Sequence, residues 1–191
     1  MILTPYRIVL ASNSPRRKEL LSGIDVSYEI HTLPDIDESY PPNISQEEIP
    51  EFLAKKKASA YYSQMDTDTL LITADTVVLL KGFVLGKPAD KEEAKQMLRK
   101  LTGNTHRVVT GVCLTSKEKQ VSFSDTASVT FGELTDEEID YYVEKYQPMD
   151  KAGAYGVQEW IGYVGVEKID GSYFNVMGLP IYKVYRAIRD F

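Results

Sequence analysis

The most informative residue of the chain is Asp75, which stands within the apolar stretch LLITADTVVLL at residues 70–80. Burying an unpaired carboxylate is so costly that such a side chain requires a cation, a metal ion or a set of hydrogen-bond donors. Two interpretations follow. Asp75 is either a polar residue satisfied at a strand end or bulge, or a site carboxylate at the edge of a sheet, where α/β proteins commonly bind ligands.

Arg16 and Arg17 lie where a helix least favours positive charge. Ser14 is a good N-cap and Pro15 suits the first helical position, so this stretch predicts a helix over about 15–22. The first turn of a helix already carries roughly half a positive charge. The two arginines therefore need an anionic partner, and we expect a phosphate chain rather than a side chain.

Two lysines show the same anomaly. Lys57 falls on the core side of a helix expected over about 46–64, and Lys87 follows a glycine in the turn GKP. Each alone would be a snorkelling stem or a surface turn residue. The apolar stripe expected beside Lys57 consists of Ile49, Leu53, Ala60 and Tyr61.

The four cations come from three segments, and carboxylates accompany them. Asp75 and the loop pair Asp37-Glu38 offer the oxygen ligands that hard metal ions prefer. A helix N-terminus adds its own N–H donors for an anion. Together these groups indicate a phosphorylated ligand.

Composition limits the other classes of function. The 191 residues are 43% hydrophobic, which is enough for one sizeable core, and we expect one domain, with two lobes as an option. The net charge of −6 gives non-specific binding to nucleic acid or anionic membrane no overall driving force. Positive charge must therefore act locally.

The N-terminus and the single cysteine predict a cytoplasmic protein. MILTPYRIVLAS has one basic residue and is broken by Thr4-Pro5, unlike a signal peptide. Cys113 cannot form an internal disulfide, which fits a reducing compartment. No apolar run approaches the roughly 20 residues that span a bilayer.

Helix and strand signals alternate along the chain, which favours an α/β architecture. A Pro-, Asp- and Ser-rich loop follows the second extended piece, and a segment with six glycines precedes the last helix. The predicted strands are at about 7–12, 26–33, 70–80, 106–116 and 120–131, with a hairpin through Lys81-Gly82. The remaining predicted helices are capped by Asp90 with Glu93 and by Thr135 with Glu138, and the last covers about 180–190.

The start of the helix that carries Lys57 is ambiguous. Ser45 and Glu48 form a capping box, whereas Pro50 is best placed as the first helical residue. Both starts remain open from the sequence.

Five stretches in this order resemble the Maf family of nucleoside triphosphate pyrophosphatases: SNSPRRKELL, LAKKKA, ITADTVV, GKP and DKAGAYGVQ. The resemblance implies a single domain over 1–191, with a mixed, twisted sheet, flanking helices and two lobes around a central cleft. It implies hydrolysis of a nucleoside triphosphate to the monophosphate and pyrophosphate with a divalent cation, Mg²⁺ or Mn²⁺. The stretch DKAGAYGVQ resembles the subgroup that acts on dTTP and UTP. The expected partner is thus a small nucleotide, with no polymeric nucleic acid or membrane, and a homodimer is left open.

The resemblance also implies roles for individual residues. Asp75 matches the proton acceptor, and with Glu38 it is expected to hold the metal. Residues expected to set base specificity are Arg16, Thr76 and Gln158. Residues expected to bind phosphate are Ser12, Ser14, Arg17, Lys57 and Lys87. Glu159-Trp160 follow Gln158 at a place where many family members have a glycine.

The chemistry of this reaction matches the residue types. Hydrolysis needs an activated water, neutralised phosphates and a stabilised leaving group, and none of these requires a serine, cysteine or histidine nucleophile. The Gln158 amide can donate to O4 and accept from N3–H of thymine or uracil, but turned over it would pair with cytosine. A second contact, for instance from Thr76 or Arg16, must fix its orientation.

Two rival functions remain. A phosphatase with an aspartyl nucleophile would also place Asp75 at the end of an apolar strand, but its common form has an acid two residues on, where this chain has Val77. A non-catalytic nucleotide sensor would keep the cations. Product analysis with dTTP separates these rivals from a pyrophosphatase.

Overall fold

The computed structural model describes residues 4–191, which form seven strands and seven α-helices. The strands are β1 (Arg7–Leu10), β2 (Tyr28–Ile30), β3 (Thr69–Leu80), β4 (Phe83–Leu85), β5 (Thr105–Thr115), β6 (Gln120–Phe131) and β7 (Val166–Asp170). The helices are α1 (Pro15–Ser22), α2 (Ile49–Tyr61), α3 (Lys91–Leu101), α4 (Asp136–Tyr146), α5 (Trp160–Gly165), α6 (Tyr173–Met177) and α7 (Ile181–Arg189).

The strands form a mixed sheet in the order β2-β1-β3-β5-β6-β7, with β4 paired to β3. Strand β1 is parallel to both β2 and β3, and Leu10 lies opposite Ile72. Strands β4 and β7 run antiparallel to β3 and β6. The predicted mixed sheet with accompanying helices is confirmed.

The chain divides into two compact units. The first unit comprises residues 4–75, 110–125 and 178–191, and the second comprises 76–109 and 126–177. Helices α1, α2 and α7 belong to the first unit, and α3 to α6 belong to the second. Strands β3, β5 and β6 contribute residues to both.

The first unit has a core formed by β1, β3, β5 and α2. Its buried members are Val9, Ala54, Ala58, Tyr61, Met65, Leu71 and Cys113. The Tyr61 hydroxyl accepts a hydrogen bond from the Leu33 amide at 2.9 Å, which fastens the loop after β2 to this core. Burial raises the pKa of the Cys113 thiol, as expected for a packed rather than reactive cysteine.

Helix α1 has the predicted bounds, and the Ser14 hydroxyl accepts from the Arg17 amide as its N-cap. Helix α2 begins at Ile49 with Pro50 in its first turn, so the proline-defined start prevails. Ser45 and Glu48 instead bond to each other through their side chains.

The predicted apolar stripe of α2 is wrong at one position. Ala60 is exposed, whereas Ala54 and Ala58 are buried with Leu53 and Tyr61. Residues spaced by three and four lie on one face of a helix, and this face runs through 54, 58 and 61. The last predicted turn of α2 is a 3₁₀ turn at Tyr62–Gln64.

The caps predicted for α3 and α4 are confirmed. The Asp90 carboxylate accepts from the Glu93 amide, and Thr135 with Glu138 makes a complete capping box. The glycine-rich segment contains α5, β7 and α6, which the sequence did not predict as separate elements. Among residues 4–191, no helix has the length and apolar character needed to cross a membrane.

Gly111 is required where α2 begins on β5. A Cβ atom at this position would lie 2.1 Å from the Glu51 nitrogen and 2.2 Å from the Pro50 carbonyl carbon. We predict that Gly111→Ala lowers the free energy of unfolding by about 1–3 kcal/mol, since backbone must move to admit the methyl group. Urea unfolding measures the change.

The matched control is Gly23→Ala, where the added Cβ meets nothing nearer than 3.5 Å and φ is −66°. It should change stability by less than about 0.5 kcal/mol. Equal stabilities for both variants would contradict the close approach of α2 to β5.

Candidate functional site

A lysine and two carboxylates converge in the first unit. The Lys57 ammonium donates to Asp75 Oδ1 at 2.6 Å and lies 2.9 Å from Glu38 Oε1. The side chains of Lys57 and Asp75 are only 15% and 14% exposed, whereas Glu38 is 54% exposed. The cation that Asp75 requires is therefore supplied by Lys57.

The elements that carry these groups are fastened together by the backbone. Thr73 in β3 donates its hydroxyl to the Ala54 carbonyl of α2 at 2.7 Å, in a buried position. Because Thr73 and Asp75 lie two apart in one strand, their side chains point to the same face of the sheet. Helix α2 is thus held on the face where Lys57 can reach Asp75.

The loop acids Asp37 and Glu38 pair with different lysines. Lys56 Nζ lies 2.6 Å from Asp37 Oδ2 and also donates to Ser39. This hydrogen bond, with those from Ser39, lowers the pKa of Asp37 to about 2. Only Glu38 of the predicted pair thus reaches Asp75's cation, while Asp37 fastens the loop to α2.

The start of α1 lies beyond the carboxyl end of β1. Ser12 is buried, and its hydroxyl accepts from the Ser14 amide at 3.2 Å. Leu10, the last residue of β1, pairs with Ile72 of the parallel strand β3, so β1 ends level with the middle of β3, three residues before Asp75. Ligands commonly bind beyond the carboxyl ends of strands in α/β sheets, and Ser12 and Ser14 follow the end of β1.

Arg17 links three parts of the first unit. Its guanidinium donates through Nε to the Gly178 carbonyl and through Nη1 to the Ala74 carbonyl, each at 2.9 Å. Burial lowers the pKa of Arg17, and the charge of Asp75 opposes this effect. Arg16 lies half-buried in the same turn. The sequence missed these carbonyl contacts of Arg17, and no local signal marks them.

The two carboxylates fit a magnesium-type metal ion. Within residues 4–191 no group of three His, Cys, Asp or Glu side chains could hold a metal. Magnesium, however, is commonly bound by one or two carboxylates together with substrate phosphates. Glu38 and Asp75 already share one cation, the Lys57 ammonium, so their oxygens are placed for a common positive charge.

The second unit contains Thr76, Lys87 and Gln158. Thr76 follows Asp75 in β3 and is half-buried, and Lys87 is exposed in its turn. The Gly153 amide donates to the Gly86 carbonyl at 3.0 Å, which joins the GKP turn to the glycine-rich segment. Gln158 Oε1 is buried without a hydrogen-bond partner among the described residues.

An orphaned buried acceptor is uncommon in proteins, and it indicates a donor from elsewhere. Gln158 is therefore a candidate ligand contact on structural grounds. Three further residues, Tyr142, Lys151 and Glu159, form a polar network beside it. Only Lys151 and Glu159 have a sequence signal, because Lys151 lies in the motif DKAGAYGVQ and Glu159 directly follows it. Tyr142 is indistinguishable from an ordinary core residue of α4.

The pairing of Lys57 with Asp75 predicts strong energetic coupling. Lys57→Met should lower the free energy of unfolding by about 2 kcal/mol, because two neighbouring carboxylates lose their cation. The double variant with Asp75→Asn should lose less than the sum of the single changes, with a coupling of about 1–2 kcal/mol. Thermal and urea unfolding measure all four proteins.

A control cycle uses the exposed pair Lys56→Met and Asp37→Asn, whose atoms also lie 2.6 Å apart. Solvent screens that pair, so its coupling should be clearly smaller. Additive losses in the Lys57 cycle would contradict the shared-cation arrangement.

The sequence is similar to known proteins over nearly the whole chain. The sequence profile described as "Maf-like protein" matches residues 7–191. A dTTP/UTP pyrophosphatase of Phocaeicola vulgatus is 59% identical over 187 residues, covering 98% of this chain and 97% of the relative. A dTTP/UTP pyrophosphatase of Bacteroides thetaiotaomicron is 60% identical, with the same coverage.

A solved structure supports the fold alone. A HAM1 protein from Coxiella burnetii aligns with a TM-score of 0.52 at 15% sequence identity, covering 97% of this chain and all of the other. The resemblance predicted from the five motifs is confirmed by the profile and the relatives together. Since both extend over nearly its whole length, this chain belongs to the Maf family.

Proposed function

We propose that this protein hydrolyses dTTP and UTP to the nucleoside monophosphate and pyrophosphate. The observation that carries the proposal is the convergence of Glu38 and Asp75 on the Lys57 ammonium beside the start of α1. Two relatives of this chain, at 59% and 60% identity, are dTTP/UTP pyrophosphatases. The activity fits a role in maintaining the nucleotide pool, and a cytoplasmic location is part of the proposal.

Asp75 is the proposed catalytic residue. A carboxylate has two oxygens, so Asp75 can accept the proton of the attacking water with one and contribute to metal binding with the other. A divalent cation, Mg²⁺ or Mn²⁺, held by Glu38 and Asp75 would supply charge neutralisation and a more acidic water. The buried surroundings of Asp75 strengthen these electrostatic effects by limiting solvent screening.

The phosphates of the substrate meet the cationic groups in this proposal. The Lys57 ammonium can donate its hydrogen bonds to phosphate oxygens instead of carboxylate oxygens without leaving the site. Ser12 and Ser14 offer hydroxyl groups at a helix N-terminus, whose partial positive charge also favours an anion. Arg17 and Lys87 complete the proposed set, and the pyrophosphate leaving group is stabilised by the same charges.

Gln158 is the proposed reader of the base. Its buried Oε1 has no hydrogen-bond donor within residues 4–191, and N3–H of thymine or uracil is a donor of the required kind. The amide nitrogen can then donate to O4. Arg16 and Thr76 remain the predicted additional specificity residues, on the strength of the family motifs.

The rival aspartyl phosphatase gains no support from the structure. Its second acid would stand at position 77, which is a buried valine. A nucleotide sensor remains distinguishable only by turnover.

Product analysis is the decisive experiment. With Mg²⁺ present, the protein should release pyrophosphate, and no orthophosphate, from dTTP and UTP, with slower turnover of ATP and GTP. Asp75→Asn should reduce turnover by at least about 100-fold, the lower end of general acid–base contributions. Stepwise release of orthophosphate would exclude the pyrophosphatase reaction.

The control for this variant is Asp66→Asn, which changes an exposed acid of the same unit that pairs with Arg7. Its turnover should match that of the unmodified protein. If binding of dTTP were retained but no product formed in any protein, the sensor would be the better description.

Gln158→Leu should raise KM for dTTP and UTP by about tenfold, since it removes a hydrogen-bonded pair worth about 1.4 kcal/mol while keeping the side-chain volume. The exposed residue Gln64 provides the control variant Gln64→Leu. Steady-state kinetics with both substrates measure the change. An unaltered KM would remove Gln158 from the base contact.

A further inference from the structure

We propose that Glu159 is a positioning residue that sets pyrimidine selectivity by holding the main chain of Gln158 through Tyr142 and Lys151. The inference rests on the proposed function, because it concerns how the base reader is oriented. It assigns Glu159 no contact with substrate. All of these residues belong to the second unit.

The Tyr142 hydroxyl joins the two ends of the short loop 156–159. It donates to Glu159 Oε2 and accepts from the Gly156 amide at 3.0 Å. The Glu159 amide in turn donates to the Gly156 carbonyl at 3.0 Å. Gln158 lies inside this closed loop, so its Cα position depends on the buried Tyr142 hydroxyl together with the main-chain hydrogen bond.

Lys151 prevents the Glu159 carboxylate from leaving this position. The lysine side chain is only 9% exposed, and its ammonium lies 3.2 Å from Glu159 Oε1 and 2.7 Å from Asp150 Oδ1. If Glu159 rotated away, a buried ammonium and a buried hydroxyl would both lose an acceptor. Burial and the neighbouring Glu159 charge also raise the pKa of Tyr142, which keeps its hydroxyl a donor.

Two glycines leave the loop little freedom to shift. A Cβ on Gly156 would lie 2.8 Å from Glu159 Cδ, so the carboxyl group packs directly against the main chain. A Cβ on Gly162 would lie 1.8 Å from the Val157 carbonyl oxygen, so the first turn of α5 presses on the residue before Gln158. The main chain is therefore confined on both sides of Gln158.

A fixed main chain matters because an amide is ambiguous. Gln158 turned over would pair with cytosine in place of thymine or uracil. A loop closed by Tyr142 and Glu159 fixes the point from which the Gln158 side chain extends, so that the amide is presented in a constant place to the second contact that orients it, before any base arrives. Preorganisation of this kind lowers the cost of binding rather than changing the chemical step.

The test compares Tyr142→Phe with Tyr141→Phe, its neighbour on α4. Tyr141 is 44% exposed and accepts from Lys145 on the surface, so the control removes a hydroxyl outside the network. Tyr142→Phe should raise KM for UTP and dTTP by about tenfold while kcat stays within about threefold, since two hydrogen bonds that hold the loop are lost. The preference for UTP over CTP should fall at least about fivefold. Tyr141→Phe should change none of these values.

A second pair of variants keeps the test valid if Tyr142→Phe does not fold. Glu159→Gln retains an acceptor for the Tyr142 hydroxyl and should keep KM within about threefold of the unmodified protein. Glu159→Ala loses that acceptor and should reproduce the KM and selectivity changes predicted for Tyr142→Phe. Kinetics are measured well below the melting temperature of each variant.

The outcomes separate this inference from the proposed function. In one outcome, the unmodified protein hydrolyses UTP normally, while Glu159→Ala and any folded Tyr142→Phe melt at lower temperatures but keep the KM and the UTP-to-CTP preference. The network would then be merely structural, and this result would overturn the inference alone. Absence of pyrophosphate release from every pyrimidine triphosphate in the unmodified protein would overturn the proposed function, and the inference with it.

Discussion

The arrangement of the candidate site in the first unit depends on one charged contact, the ion pair between Lys57 and Asp75. A carboxylate within an apolar strand must have a cation, and the available cation is carried by α2. Helix α2 packs on β3 and β5, where the Thr73 hydroxyl bonds to it and the missing side chain of Gly111 permits its close approach. Glu38 brings the loop after β2 to the same ammonium.

The same contact suits a site that must be stable both with and without its ligand. The two carboxylates proposed to bind a metal ion would repel each other in the ligand-free protein, and the Lys57 ammonium offsets that repulsion. In the proposed reaction, the metal would take over this role and Lys57 would interact with phosphate oxygens. Under this proposal, the charge of Lys57 stabilises the fold and also serves the reaction.

The second unit illustrates a different constraint. The proposed base reader, Gln158, is a neutral amide whose buried oxygen has no hydrogen-bond partner among the described residues. A neutral group has no ion pair to orient it, so a rigid main chain must set the position of the Gln158 amide. The charged network of Lys151, Glu159 and the Tyr142 hydroxyl lies beside the reader and closes its loop.

The sequence by itself determined the features whose causes are local. Capping residues fixed the bounds of α1 and the starts of α3 and α4, because an N-cap acts within one turn. Asp75 and the cations Arg16, Arg17 and Lys57 could be singled out because each carries a charge that its local surroundings, an apolar stretch or the start of a helix, disfavour. The five motifs, occurring in this order, resemble those of the family, and this resemblance implied the expected chemistry.

Only the tertiary structure decided which groups meet. It selected Lys57 for Asp75 and Lys56 for Asp37, although the two lysines are adjacent in sequence. It also showed that Arg17 donates to a carbonyl at Gly178, that Ala60 faces outward, and that the glycine-rich segment contains β7. The physical reason is that strand pairing, helix rotation and buried hydrogen bonds depend on partners distant in sequence, and no local propensity specifies those partners.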